Sequence, residues 1–212
     1  MRAYPETVAQ ADVQRAVLAL AAGQVIAHPT ETVFGLAADP FHPVAVQHLL
    51  CLKGRLASKG FIVLIPDRQG LDRLILPPVP LARRLMDHFW PGPLTLVLPA
   101  RPDLPAEVTG GGGWLAVRQS SSPLVAALLH AWQGPLISTS ANPTGQPPAR
   151  SAVEVHRHWG AAIAVVLAGA TPVEAQPSTL LQVEGERVQL LRAGAVAEEA
   201  WRAVVGSPPG QS

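Results

Sequence analysis

At 212 residues, 48% hydrophobic and 15% charged, the chain has enough apolar mass for one folded domain, which excludes a disordered protein and a scaffold dependent on disulfides or a structural metal. Sixteen basic against fifteen acidic residues leave a net charge of +1, which excludes a protein that binds nucleic acid by bulk charge alone. The single cysteine, Cys51, excludes an internal disulfide and, inside the apolar run 48–52, reads as a small buried hydrophobe.

The elements follow in chain order. Apolar positions Val13, Val17, Leu18, Leu20 and Ala21 predict a helix over 10–22, stopped by Gly23. Residues 25–27 read as a short buried strand ended by His28-Pro29, and Pro43 opens a helix to about Leu52. A strand over 61–65 precedes Pro66-Asp67, and a helix over 79–89 is broken by Trp90-Pro91-Gly92-Pro93. Strands over 94–98 and 115–118 flank the glycine run 110–113, read as a flexible loop. A helix over 123–132, a strand over 136–138, a helix over 152–159 and a strand over 163–167 come next. Residues 179–183 and 187–191 predict a hairpin across Glu184-Gly185-Glu186, and the tail from Gly206 reads as disordered. Short strands alternating with helices imply an α/β (α+β) domain on a mixed sheet. The segment 1–6 lacks the apolar stretch of a secretory signal, and no apolar run approaches a bilayer span, so a cytoplasmic setting without a membrane partner is expected.

Polar residues gather just after the strands, where ligand sites of open α/β sheets lie. The cations are Lys53, Arg55, Lys59, Arg118 and Arg192, the hydroxyls are Thr32, Thr95, Ser138, Ser140 and Ser178, and Asn142 adds an amide. Fourteen of the sixteen basic residues are Arg, and the two Lys, Lys53 and Lys59, fall in one seven-residue segment. This set suits an anionic, oxygen-rich ligand such as a nucleoside triphosphate. The chain carries no G-x-S-x-G elbow, no Walker A or dinucleotide glycine motif, and no His/Cys metal spacing. Each segment alone has a plainer reading: Pro29-Thr-Glu-Thr32 as a turn, Lys53-Gly-Arg55 as a solvated helix end, and Ser138-Thr-Ser-Ala-Asn142 as a cap for the next helix. Trp90 and Trp114 read as core or rim packing.

The ordered conjunction is more specific. Pro29-Thr-Glu-Thr-Val-Phe-Gly-Leu36, Lys53-x-Arg55, Lys59-Gly60, Trp90-Pro-Gly-Pro-Leu-Thr95, Leu115-Ala-Val-Arg118, Ser138-Thr-Ser-Ala-Asn142, Pro177-Ser-Thr179 and Arg192-x-Gly194 resemble the YrdC-type threonylcarbamoyl-AMP synthase family in its bacterial short form. The resemblance implies a twisted, mixed β-sheet with flanking helices and a positively charged concave cleft. It divides the chain into an N-terminal extension (1–8), a catalytic domain (9–195) and a helix end with a disordered tail (196–212). It implies formation of threonylcarbamoyl-AMP and pyrophosphate from L-threonine, bicarbonate and ATP, with Mg²⁺ accompanying the ATP and no metal held by protein side chains. A downstream tRNA threonylcarbamoyl-transferase complex and contact with RNA or tRNA are implied partners.

By resemblance, Arg55, Lys59, Thr95, Ser140 and Arg192 contact ATP; Thr32, Arg118, Ser138 and Ser178 contact threonine; and Lys53, Arg55, Ser140 and Asn142 form the catalytic set. The chain departs from the family pattern at Phe34, where Tyr is common, at Leu56, where Pro often follows the Arg, and in its glycine-rich 110–113 run. Two alternatives are a non-catalytic RNA-binding or ribosome-maturation paralogue, which would not need the Lys53/Arg55/Ser140/Asn142 set, and a carbamoyl-transferring enzyme acting on a protein.

Overall fold

The computed structural model describes residues 10–54, 57–169, 171–172 and 174–206. Along the chain run α1 (Gln10–Ala21), β1 (Ile26–His28), β2 (Gly35–Ala38), α2 (Pro43–Lys53), β3 (Ile62–Leu64), α3 (Pro80–Phe89), β4 (Leu94–Pro99), α4 (Ala106–Thr109) and β5 (Trp114–Arg118). These are followed by α5 (Pro123–Trp132), β6 (Leu136–Ser140), α6 (Ala152–Trp159), β7 (Val165–Val166), β8 (Thr179–Glu184), β9 (Arg187–Arg192) and α7 (Glu198–Gly206). Local chemistry fixes several ends. Pro43 and Pro123 stand in the first turns of α2 and α5, and the side chains of His42 and Ser122 accept from the backbone N–H of Ala45 and Val125. Gly54 ends α2 in the left-handed conformation at φ 52°.

Among the described residues nine strands form one mixed sheet in the order β7-β1-β2-β6-β3-β5-β4-β8-β9. Pairs β1/β7, β3/β5 and β4/β8 are parallel and the rest antiparallel. The expected hairpin is β8–β9, closed between Glu184 and Arg187, so the turn is the two residues Gly185-Glu186. The strand expected over 163–167 shortens to Val165–Val166, although Ala164 and Leu167 still donate to Val25 and Ala27 carbonyls. Strand β2 and the short helix α4 are additions to the elements legible in the sequence.

The sheet's two faces have different fates. On one, Ala27, Leu36, Val63, Leu96, Val117, Ile137 and Leu181 pack with Val46 and Leu49 of α2, Leu81 and Leu85 of α3, Val155 of α6 and Trp201 of α7. Residues 196–206, set apart in the sequence as a helix end, therefore pack on the same core, while 1–9 and the remainder of the expected tail, 207–212, lie outside the described residues. On the other face, Ile26, Ala37, Leu64 and Leu136 are covered by Val13, Ala16 and Leu20 of α1 and by Val125, Leu128 and Leu129 of α5. These two helices cover only one end. Cys51 departs from its expected burial: α2 turns Ala45, Val46, Leu49, Leu50 and Lys53 inward and leaves Cys51 exposed. An apolar run on a helix does not by itself say which of its positions face the core.

Candidate active site

The strand registers place the uncovered part of that second face. Ala37 pairs with Ser138 and Gly35 with Ser140; Ile62 pairs with Ala116 and Leu64 with Arg118; Thr95 pairs with Leu180, which pairs with Arg192. Because side chains alternate along a strand, Ser138, Ser140, Ala116, Arg118, Leu180 and Arg192 share one face. They line a cavity of about 370 Å³, within the usual size of a small-molecule site. Thr95, Arg118, Ser138, Ser140 and Arg192 thus project from the sheet itself, and for them the expectation of a place beyond the strand ends is corrected; Thr32, Lys53, Lys59, Asn142 and Ser178 lie outside the strands. Strand β6 runs on to Ser140, two residues past its expected end, and this puts Ser140 in the sheet with Ser138.

Of the site residues expected from the sequence, Thr32, Lys59, Arg118, Ser138, Ser140, Ser178 and Arg192 line the cavity. Lys59, Arg118 and Arg192 are the charged side chains of that lining among the described residues. Arg55 lies outside the described residues. Thr95, Lys53 and Asn142 do not line the cavity, although the register with Leu180 puts Thr95 on the same face. Thr95 is fully buried, and its hydroxyl pairs with Ser178 Oγ at 2.8 Å. Lys53 is 5% exposed, and its Nζ donates to Ser140 O at 2.7 Å, Asn142 O at 2.5 Å and Asn142 Oδ1 at 2.9 Å. Ser140 Oγ donates to the same Oδ1 at 2.6 Å, and Thr144 Oγ1 donates to the Lys53 carbonyl at 2.6 Å. Lys53 is therefore a clamp on the turn after β6, not a solvated helix end. The 138–142 segment caps no helix either: Ser151 caps α6.

The threonine-type residues form a connected set. Thr30 Oγ1 accepts from the N–H groups of Thr32 and Val33 and donates to Val33 O, the turn that Pro29-Thr-Glu-Thr32 suggested. Thr32 Oγ1 lies 2.9 Å from Thr30 Oγ1 and accepts from Arg118 Nη1 at 3.3 Å. Arg118 Nε donates to Gly92 O at 3.1 Å, and Nη2 pairs with Glu31 Oε1 at 2.5 Å. These contacts use at most one N–H on each nitrogen and leave one on Nη1 and one on Nη2, of which Nη2 is buried from solvent. Across the cavity, Arg192 donates through Nε and Nη2 to Ser178 O at 3.1 and 2.9 Å, and through Nη2 to Ser178 Oγ at 3.1 Å. Gly194 lets the two segments touch, since a Cβ there would lie 2.2 Å from Pro177 O. Burial, and then the charge of Arg118, lowers the Arg192 pKa. Two guanidinium groups that repel across one hollow are a setting for an anion.

Sequence reasoning missed three residues here. Glu31 is the buried counter-charge of Arg118. Burial alone would raise its pKa, but Arg118, Ser120 and the Ser121 N–H together hold it below the usual 4.5. His28 is buried beside Ser138. Trp114, read as core or rim packing, lines the cavity with Ile62, Val97 and Leu180 and gives it an apolar wall. The signal for Glu31 was present, a carboxylate inside an otherwise hydroxyl-rich turn, but its partner stands 87 positions away on β5.

Residues 18–194 match the Sua5/YciO/YrdC family, described as telomere recombination. A Nitrosococcus oceani protein named threonylcarbamoyl-AMP synthase is 42% identical over 80% of this chain and 91% of its own length. One of the same name from Alkalilimnicola ehrlichii is 41% identical over 86% of this chain and 97% of its own. The crystal structure of P. abyssi Sua5 complexed with L-threonine superposes with a TM-score of 0.90 at 31% identity, covering 95% of this chain and 59% of that one. E. coli YciO shares the fold, with a TM-score of 0.83 at 20% identity over 93% of this chain and 96% of its own. With its single mixed-sheet domain and a family match across most of its length, the chain belongs to the Sua5/YciO/YrdC family.

Proposed function

We infer that the protein is a threonylcarbamoyl-AMP synthase, a nucleotidyltransferase that makes the activated intermediate of a tRNA modification. One observation carries this reading: a single cavity gathers Thr32, Arg118, Ser138 and Ser178, the set for threonine, beside Lys59, Ser140 and Arg192, the set for ATP. Relatives bearing that name align with most of this chain, and P. abyssi Sua5 has been crystallised with L-threonine.

The chemistry needs no protein nucleophile. The threonine amine attacks the carbon of bicarbonate, giving a carbamate with loss of water, or that of carbon dioxide, giving the same carbamate with loss of a proton. A carbamate oxygen then attacks the α-phosphorus of ATP in line, the bond to the β-phosphate oxygen breaks, and pyrophosphate leaves with that electron pair. Positioning and charge stabilisation supply the catalysis. The charge of Arg118 and its uncommitted Nη1 N–H suit the threonine carboxylate. Lys59 and Arg192 face the phosphates, and Arg55 joins them by resemblance. Lys53 acts on Ser140 and Asn142, holding the turn against which the reacting groups sit. The wall of Trp114, Ile62 and Val97 gives the purine an apolar surface.

Mg²⁺ enters as the ATP complex. Among the described residues no group of three His, Cys, Asp or Glu side chains could hold an ion, and Glu31 is committed to Arg118. The lining instead offers hydroxyls, which fit a metal carried on phosphate oxygens. The product would pass to a tRNA threonylcarbamoyl-transferase complex in the cytoplasm. No helix among the described residues is long and apolar enough to cross a membrane.

Pyrophosphate release tests the reading. The purified protein with ATP, Mg²⁺, bicarbonate and L-threonine is expected to release pyrophosphate, and omission of threonine or bicarbonate to abolish the release. Release independent of threonine, or none in the full mixture, refutes it.

A further inference from the structure

His28 ends β1 beside the cavity, 1% exposed, and no step above uses it. Its ring nitrogens have different partners. Nδ1 lies 3.3 Å from Pro29 O, and Nε2 lies 3.3 Å from Ser138 Oγ. A carbonyl only accepts, so Nδ1 carries the ring hydrogen. Burial lowers the pKa to about 4, against the Pro29 bond and the charge of Glu31 and reinforced by Arg118. The ring is neutral at pH 7, and Nε2 presents a lone pair. Ser138 therefore spends its one hydroxyl proton on Nε2 and has only lone pairs left for the cavity it lines. The backbone makes room for this contact: a Cβ on Gly35 would lie 2.6 Å from Ser138 Oγ and 3.1 Å from His28 Nε2.

We propose that His28 is a positioning residue that fixes Ser138 as a hydrogen-bond acceptor, so that Ser138 takes a donor of the amino-acid substrate, its hydroxyl or its nitrogen-bound hydrogen, and not its carboxylate. The proposal rests on the cavity being the threonine site. A carboxylate at Ser138 would set acceptor against acceptor, which leaves that group to the Arg118 guanidinium. Donor and carboxylate are thereby assigned to opposite sides of one amino acid, which orients it.

Two measurements test this. The first is ¹⁵N NMR of the imidazole in the wild-type protein at pH 7, which needs no activity and no variant. The Nδ1–H tautomer of His28 is expected; the Nε2–H tautomer or a charged ring overturns the proposal. The second is a double-mutant cycle on kcat/KM for threonine. His28→Phe is expected to lower it about three- to tenfold, the worth of one neutral hydrogen bond. The loss should fall on KM for threonine with KM for ATP unchanged. His28→Gln, whose carbonyl can reach the Nε2 position, should recover part of it. In a Ser138→Ala background, His28→Phe should cost less than about twofold more, since nothing is left to orient. Full additivity, or an equal loss in both KM values, overturns the proposal. Wild-type protein that makes no adenylate would instead sink the threonine-site reading, and the NMR tautomer would still decide the state of His28 separately.

Discussion

Lys53→Met is expected to lower kcat/KM for pyrophosphate release at least about a hundredfold, the scale of losing one aligned group in a preorganised site. The residue is nearly as long as lysine and keeps the apolar stem, so the loss isolates the ammonium. Three acceptors then lose a donor: Ser140 O keeps the Asn142 N–H and Asn142 Oδ1 keeps the Ser140 hydroxyl, but the Asn142 carbonyl loses the ammonium that held it. An acceptor left unpaired costs about 1–3 kcal/mol, enough for the 140–146 turn to move and take Ser140 Oγ with it. The kinetics identify the role. A clamp on that turn predicts that kcat falls while KM for ATP changes little. A Lys53 that met the phosphates directly would weaken ATP binding first. Near-normal pyrophosphate release by Lys53→Met would contradict both roles.

Glu31→Gln should destabilise the fold by about 3 kcal/mol at pH 7, because one partner of a buried ion pair is removed and the other charge stays. The Glu31 and Arg118 side chains are only 13% and 6% exposed, so solvent screens the pair little. The pH dependence gives the sign. The folded pKa of Glu31 lies below its usual 4.5, once burial is outweighed by Arg118, Ser120 and Ser121. Its stabilising contribution is therefore fully present above pH 4.5 and is lost as pH falls through the lower folded value. Urea melts of wild type and Glu31→Gln should differ by a constant amount at neutral pH and converge in acid. A difference that holds or widens below pH 4.5 would show that Glu31 stabilises by something other than its charge.

The sequence carried the order of elements well because the helices announce themselves. Pro43, Pro80 and Pro123 open three of them, and Gly54 closes one in the left-handed conformation. Strand β2 escaped because Gly-Leu-Ala-Ala is poor in β-branched residues and buried along its whole length, so neither propensity nor alternation marks it. The site was legible as a list of residue types and illegible as a surface. Ser140 looks like a loop residue until the register with Gly35 shows that it is a strand residue on the same face as Ser138. Lys53 and Thr95 read as ligand contacts because a charge or hydroxyl in a motif carries no label saying whether it touches substrate or holds the residue that does. The strand order separates chain neighbours: β4 lies between β5 and β8, so Thr95 meets Ser178, 83 positions on, only in the folded sheet. Glu31 was overlooked for the same reason, since its meaning is its distance to Arg118.

The claim that one hollow seats threonine beside ATP and joins them is tested most directly by mass spectrometry of the product. The protein is incubated with ATP, Mg²⁺, ¹³C-labelled bicarbonate and an equimolar mixture of threonine, serine and valine. The account predicts one main adenylate, that of threonine, carrying the bicarbonate carbon as the heavy isotope. An adenylate without the label, or comparable yields from valine, would contradict it.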